Sequence, residues 1–243
     1  TEYPLAVDSG EIAFQGVDLV SLAEKNIEKI RGRDIALTTA EPRKHLNPLI
    51  SIGAQMINVI CAHRDIARKD AIAVAVDLLN SVGIPDPELR LTGYPHEMSG
   101  GMCQRIVIAM ALAHQTKILL VDEPTAGLDV TISRQILDLI QGLIKERGLA
   151  VLLVSRDLGV VAHYCDLVAV MYAGRIVEIA PIADFFSNPI HPYSKQLLRS
   201  AAAARDQQAT DQRMSSLLPP ATVGCAYAPR CNLVESRCED GLV

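Results

Sequence analysis

The chain has 243 residues, 49% of them hydrophobic, with a formal net charge of -5 and a positive mean hydropathy. The acidic balance and the lack of a basic run argue against nucleic acid as a main partner, and no apolar run approaches the roughly 18 residues of a membrane span. Length and apolar content fit one large domain, or one domain with an appended piece, built as an α/β protein whose parallel sheet is covered on both faces.

In chain order, the first eight residues show no element. Ile12 and Phe14 precede a turn at Gln15-Gly16, and Val17 and Leu19 follow it, which predicts a strand and its exit. Residues 34–38 read as a short strand and residues 39–47 as a polar loop. From Pro48 to about Gly93 the pattern is helical, with Ile72, Val76, Leu79 and Val82 at helical spacing and Gly83 as a stop signal. Ser99-Gly100-Gly101 opens a second helix that runs to about His114. An apolar strand, 117–121, ends in Asp122-Glu123-Pro124. The next helix, 131–147, is expected to bury Ile132, Ile136, Leu139 and Leu143, with Lys145 and Arg147 in its last turn and Gly148 as its cap. Residues 149–155 read as a buried strand, 166–179 as a hairpin turning at Ala173-Gly174, and 205–220 as a polar linker to a cysteine-bearing tail. Alternating strand and helix from 117 to 155 implies a parallel sheet. The start at Thr1 and the stop within the cysteine-rich segment read as the ends of a fragment.

Two segments carry chemistry. A hydrophobic strand ending in Asp122-Glu123 delivers two carboxylates to the edge where open α/β sheets bind ligands. The first suits Mg²⁺, a hard cation that prefers oxygen, and the second suits an attacking water. Taken alone, such a pair is equally a solvated strand end. Ser99-Gly100-Gly101 before a helix offers close backbone approach and an N-terminus that attracts anions. Taken alone, it reads first as an ordinary serine cap with two flexible glycines.

The two segments stand in sequence as Met98-Ser99-Gly100-Gly101-Met102-Cys103-Gln104-Arg105, then Ile118-Leu119-Leu120-Val121-Asp122-Glu123-Pro124-Thr125, then Ala126-Gly127-Leu128-Asp129. In this order and spacing the chain resembles the ATP-binding subunits of ABC transporters, whose signature, Walker B strand and D-loop are so arranged. Val82-Gly83-Ile84-Pro85-Asp86-Pro87, Tyr94-Pro95-His96-Glu97 and His191-Pro192-Tyr193 are similar to those of dipeptide and oligopeptide importers. The resemblance implies an α/β ABC-type P-loop NTPase core with parallel sheet over 1–204, a helical subdomain at about 48–98, and a linker with a C-terminal cysteine extension over 205–243. It implies ATP and Mg²⁺ as cofactors, with Asp122 on the metal, Glu123 on the attacking water, and Ser99, Gly100, Gly101, Gln104, Asp129 and Arg156 around nucleotide. It further implies a second ATPase subunit, membrane permease subunits that face residues 46–95, a solute-binding protein, and a peripheral place on the cytoplasmic face of the membrane.

In the tail, Cys225, Cys231 and Cys238 offer three thiolates whose spacing does not separate zinc from iron–sulfur. The resemblance implies a [4Fe–4S] cluster there, with its fourth ligand missing from this chain. With no secretion signal read, reduced thiols or a metal site are expected, not disulfides. Cys61, Cys103 and Cys165 read as core residues, and His96, His163 and His191 show no metal spacing.

The chain departs from the family at several positions. No Gly-x-x-x-x-Gly-Lys-Ser/Thr loop occurs in residues 1–243. Ala40 stands where relatives carry a glutamine that senses Mg²⁺ and γ-phosphate, and Arg156 where they carry a histidine. Alanine offers no side-chain oxygen, and arginine exchanges no proton near neutral pH. These positions belong to the chain's own half of a shared site, whereas the signature and Asp129 serve a partner's ATP. Two readings stand side by side: a transport ATPase, and a subunit that only completes a partner's site. A soluble ABC ATPase of DNA repair or translation fits less well, because of the importer-like tail. Peptide, nickel and other small-solute importers share these motifs, so the solute stays open.

Overall fold

The computed structural model describes residues 7–206 and 219–239. The chain divides into two compact units, residues 1–154 and 155–243. The boundary expected at residues 204–205 falls near the end of the helix Pro192–Asp206, and residues 207–218 of the expected linker lie outside the described residues.

The first unit opens with a hairpin of β1 (Ala13–Phe14) and β2 (Val17–Asp18). Its turn residues Gln15 and Gly16 both have positive φ, the geometry that folds two strands back with matched twist. The expected strand and exit are therefore two arms of one hairpin. After α1 (Glu24–Ile27) and β3 (Ile35–Thr38), the expected polar loop holds one helical turn, α2 (Pro42–His45). Pro42 starts that turn, where its missing N–H has no helical partner to lose.

The helical stretch resolves into α3 (Ile52–Ala62), α4 (Arg68–Ser81) and α5 (Pro87–Thr92). Helix α4 buries Ala71, Ala75, Leu78 and Leu79, while Ile72 is 48% exposed. Of the expected face, Leu79 and Val82 are buried and Val76 packs on the core, so Ile72 is the one member that turns outward. Reading by large residues alone overlooked two alanines, whose small size admits a close helix–helix approach. Helix α6 (Gly100–Ala111) follows, and the carbonyls beyond its last turn are met by arginines. Arg147 donates to Leu112 O at 3.0 Å and Arg64 to Ala113 O at 2.6 Å.

Strand β4 (Ile118–Asp122), helix α7 (Val130–Arg147) and strand β5 (Ala150–Val154) complete this unit. β4 is central, parallel to β3 on one side and β5 on the other. Ala36, Thr38, Leu119 and Val121 are buried on one sheet face, with Val151 and Leu153 packed against the same core. Leu37, Leu152 and Val154 on the other face are more than half exposed. Among the described residues the sheet is covered on one face, not two, and β5 is not the buried strand expected. Helix α7 buries Ile136, Leu137, Ile140 and Leu143, with Ile132 and Leu139 partly buried beside them. Gly148 closes it at φ +62.

The second unit contains α8 (Leu158–Tyr164), the hairpin β6 (Leu167–Tyr172) and β7 (Arg175–Pro181), α9 (Ile182–Ser187) and α10 (Pro192–Asp206). The hairpin turns at Ala173 and Gly174 as expected, both with positive φ. Glu178, buried on β7, accepts the N–H groups of Ile190 and His191 at 2.8 and 2.9 Å and so fixes the approach to α10. His191 Nδ1 accepts from Tyr193 N, Pro192 begins the helix, and the Tyr193 ring packs on Tyr172 and Tyr227. Each residue of the His-Pro-Tyr triplet thus has a structural task.

A near-buried carboxylate joins β3 to β4. Asp34 lies between Arg33 Nη2 at 2.5 Å and Lys117 Nζ at 3.0 Å, and its carbonyl accepts from the N–H groups of Lys117 and Ile118. Lys117 also donates to Gln15 Oε1 and lies over the Phe14 ring, tying the first hairpin to the sheet. Burial pushes the Asp34 carboxyl up, but its bonds to Arg33 and Lys117 outweigh that and hold it below the usual value. A carboxyl depressed in the folded state stabilises above its unfolded pKa of about 3.9, and that stability is lost as pH falls through the lower folded value. Asp34→Asn should lower stability to urea by roughly 1–2 kcal/mol near neutral pH, since both cations are half exposed. The parent and variant curves should converge as pH falls through that acid window.

Candidate functional site

The signature turn is built by local rules. Ser99 caps α6 with an extended backbone, its Oγ accepting from Met102 N at 3.2 Å and its carbonyl from Cys103 N at 2.9 Å. The Ser99 hydroxyl keeps its own proton to donate. The N–H groups of Gly100 and Gly101 fall in the first helical turn, where no helical carbonyl reaches them.

The two glycines have a second reason to be glycine. A Cβ on Gly101 would meet Ile132 Cγ2 at 2.7 Å, and one on Gly100 would meet Leu128 Cδ2 at 3.3 Å. Leu128 and Ile132 flank Asp129, which caps α7 by accepting from Ile132 N at 3.0 Å. The fold therefore brings Ser99, Gly100 and Gly101 against the segment that carries Asp129. Gln104, one turn into α6, is buried with its Nε2 unpartnered among the described residues.

Asp122 closes β4 beside Val154 of β5. Glu123 follows with φ +45, its N–H donating to Val154 O at 2.9 Å. Positive φ is uncommon for a residue with a side chain, and the pairing to β5 is what keeps it there. Both carboxylates are partly exposed at the C-terminal edge of a parallel sheet. That donor chemistry fits Mg²⁺, and the capped, glycine-walled start of α6 fits a phosphate.

Ala40 lies between β3 and α2 and carries no polar side-chain atom. Arg156 is exposed and belongs to the second unit, just ahead of α8, which Asp157 caps by accepting from Gly159 N at 2.8 Å. An apolar groove of about 580 Å³, lined by Ile27, Ile30, Leu37, Val107, Met110 and Leu120 among others, contains none of the predicted site residues.

The tail thiols are arranged differently from expectation. Cys225 Sγ lies 3.9 Å from His191 Nε2, Cys231 Sγ accepts from Leu233 N, and Cys225 N donates to Cys238 O at 2.8 Å. Among the described residues no three His, Cys, Asp or Glu side chains are grouped to hold a metal ion, so the three thiols do not fit a cluster as placed. Cys225 and Cys231 pack instead where Tyr227 meets Tyr172 and Tyr193, while Arg175 donates to Gly224 O at 2.7 Å. Sequence reading missed this role of Tyr172, Tyr193 and Tyr227. Their wide separation in the chain left no periodic signal.

Glycine at 101 can be tested as a packing requirement. Alanine in a helix is ordinarily favoured over glycine by up to about 1 kcal/mol, but here the close contact should reverse the sign. Gly101→Ala should destabilise the chain by roughly 1–3 kcal/mol in denaturant. Gly101→Ala combined with Ile132→Ala should cost about 1 kcal/mol less than the sum of the two single changes.

A family model described as ABC transporter matches residues 2–126, and one described as the C-terminal region of oligopeptide/dipeptide transporters matches residues 177–238. A putative peptide import ATP-binding protein of Brucella melitensis is 44% identical, the match covering 96% of this chain and 73% of that protein. The oligopeptide transport ATP-binding protein OppD of Bacillus subtilis is 49% identical across 79% of this chain and 53% of its own length. Among solved structures, cbiO1 of Clostridium perfringens, part of the complex cbiONQ, superposes with a TM-score of 0.63 at 25% identity, over 84% of this chain and 76% of that one. The dimeric cassette MJ0796 bound to ADP and phosphate gives 0.64 at 22% identity, over 72% and 74%, a likeness of fold.

Proposed function

Because this chain belongs to the ABC transporter family, we propose that it is the ATP-binding subunit of an importer of dipeptides or oligopeptides, working as one half of an ATPase dimer. The observation that carries this reading is the meeting of the Ser99–Gly101 turn with the Asp129 cap, in a chain whose β4 ends in Asp122-Glu123. The peptide class rests on the relatives' names and on the match over residues 177–238.

In this reading Asp122 would hold Mg²⁺, and the bound ion would offset charge on the phosphates. Glu123 accepts a proton from the attacking water. The backbone N–H groups of Gly100 and Gly101, with the Ser99 hydroxyl, donate to the γ-phosphate of ATP held by the partner subunit, and Asp129 faces the same partner. Among the described residues no helix is long and apolar enough to cross a membrane. The subunit works at the cytoplasmic face, docked through residues 46–95 on permease subunits that receive solute from a binding protein. The cluster expected at Cys225, Cys231 and Cys238 is not carried into this function, and no step depends on it.

In the assembled transporter, Glu123→Gln should keep ATP bound while turnover falls by roughly two to four orders of magnitude. Unchanged turnover would show that this half-site is silent or that Glu123 is not the base.

Ala40 and Arg156 favour a second reading, in which the chain's own half-site is weak and its main task is to complete the partner's. Gly100→Asp sets a carboxylate against the γ-phosphate, so ATPase activity of the complex should be abolished, whereas Arg156→Ala should change it little. A Gly100→Asp complex as fast as the parent would overturn the trans role. Micromolar ATP binding by the isolated chain would overturn the weak half-site.

A further inference from the structure

The loop after β3 and the signature turn are joined by one side chain. Arg43, on α2, sends its Nη2 to the carbonyl of Met98 at 3.0 Å, across 55 positions of sequence. Met98 is 3% exposed and immediately precedes the Ser99 cap. Its carbonyl lies before the helix starts, so no amide of α6 can serve it, and a buried carbonyl left without a donor is costly. The guanidinium supplies that donor. Four residues past the cap, the Cys103 thiol is buried, and burial pushes it up while the Arg43 guanidinium draws it down. Cys103 Sγ in turn donates to Pro95 O at 3.7 Å. The far wall of the turn is Leu128 and Ile132, which Gly100 and Gly101 touch.

We propose that Arg43 is a positioning residue for the signature turn, fastening it to the loop that leaves β3. The inference rests on the reading that Ser99–Gly101 meets a phosphate, and it adds how that turn is held and what moves with it. Arg43 stands three residues after Ala40. A displacement of this loop is therefore passed to the Met98 carbonyl and on to the Ser99 cap through one charge-assisted bond. The planar fork suits this task better than an ammonium, which can direct only one donor along the same line.

Hydrogen exchange tests the tether without nucleotide. The informative amides are Met102, bonded to Ser99 Oγ, and Cys103, bonded to Ser99 O. In the 243-residue chain, Arg43→Ala should speed their exchange by about tenfold, with Arg43→Lys between it and the parent, while amides of α7 keep parental protection. Lys44→Ala, at an exposed neighbour in the same turn, should leave Met102 and Cys103 as in the parent. In the assembled transporter, Arg43→Ala should lower kcat several-fold with KM within about twofold. Unchanged exchange at Met102 and Cys103, or protection lost equally throughout the chain, overturns the tether. Faster exchange with unchanged kcat overturns its part in catalysis and leaves the signature reading standing. That reading falls separately, with an active Gly100→Asp complex.

Discussion

The first unit depends on how β4 is pinned between its neighbours. Asp34 holds one end: its carbonyl takes the N–H groups of Lys117 and Ile118, and its carboxylate takes the Lys117 ammonium and the Arg33 guanidinium. From that start the parallel register runs Ile35 to Ile118 and Thr38 to Val121, so Asp122 and Glu123 have to emerge at the sheet's C-terminal edge. Val154 holds the other end by accepting from Glu123 N. A slip of one residue would turn Leu119 and Val121 away from the core and withdraw the carboxylates together.

On the covered side of this sheet, α6 and α7 share a contact that leaves no room for a side chain at Gly101 and little at Gly100. Gly101 faces Ile132 and Gly100 faces Leu128, which brings two helix N-termini, capped by Ser99 and Asp129, to the same place. Helix N-termini carry partial positive charge and unpaired N–H groups, so their convergence favours an anion. The packing requirement and the binding requirement point to the same residues, which is why a glycine pair here has two independent physical reasons.

The second unit is organised around Glu178 and three tyrosines. Glu178 closes the backbone ahead of α10, and Tyr172, Tyr193 and Tyr227 bring β6, α10 and the tail into one cluster. The tail at 219–239 is therefore a packed element. Gly224, at φ +69, lies so near Cys238 O that a Cβ would meet it at 2.3 Å, and this contact closes the tail on itself.

The sequence by itself determined the strand–helix–strand order from β4 to β5 and the residue types offered at the candidate site. Cap residues, glycine stops and the apolar strand before Asp122-Glu123 act through nearest neighbours, and local physics left its mark at Ser99, Gly83, Gly148 and the Ala173-Gly174 turn. Joint spacing of three motifs was enough to place the chain in its family. Which face of α4 is buried, whether both sides of the sheet are covered, and whether three tail thiols converge are sums over distant partners. Periodicity counts large residues and so missed Ala71 and Ala75. Spacing counts cysteines and so could not show that Cys225 faces His191 while Cys231 accepts from its own loop. Arg43 reads as one more charge in a polar loop. Only the tertiary structure sets it under the Met98 carbonyl, because a partner 55 positions away leaves no trace in a local pattern.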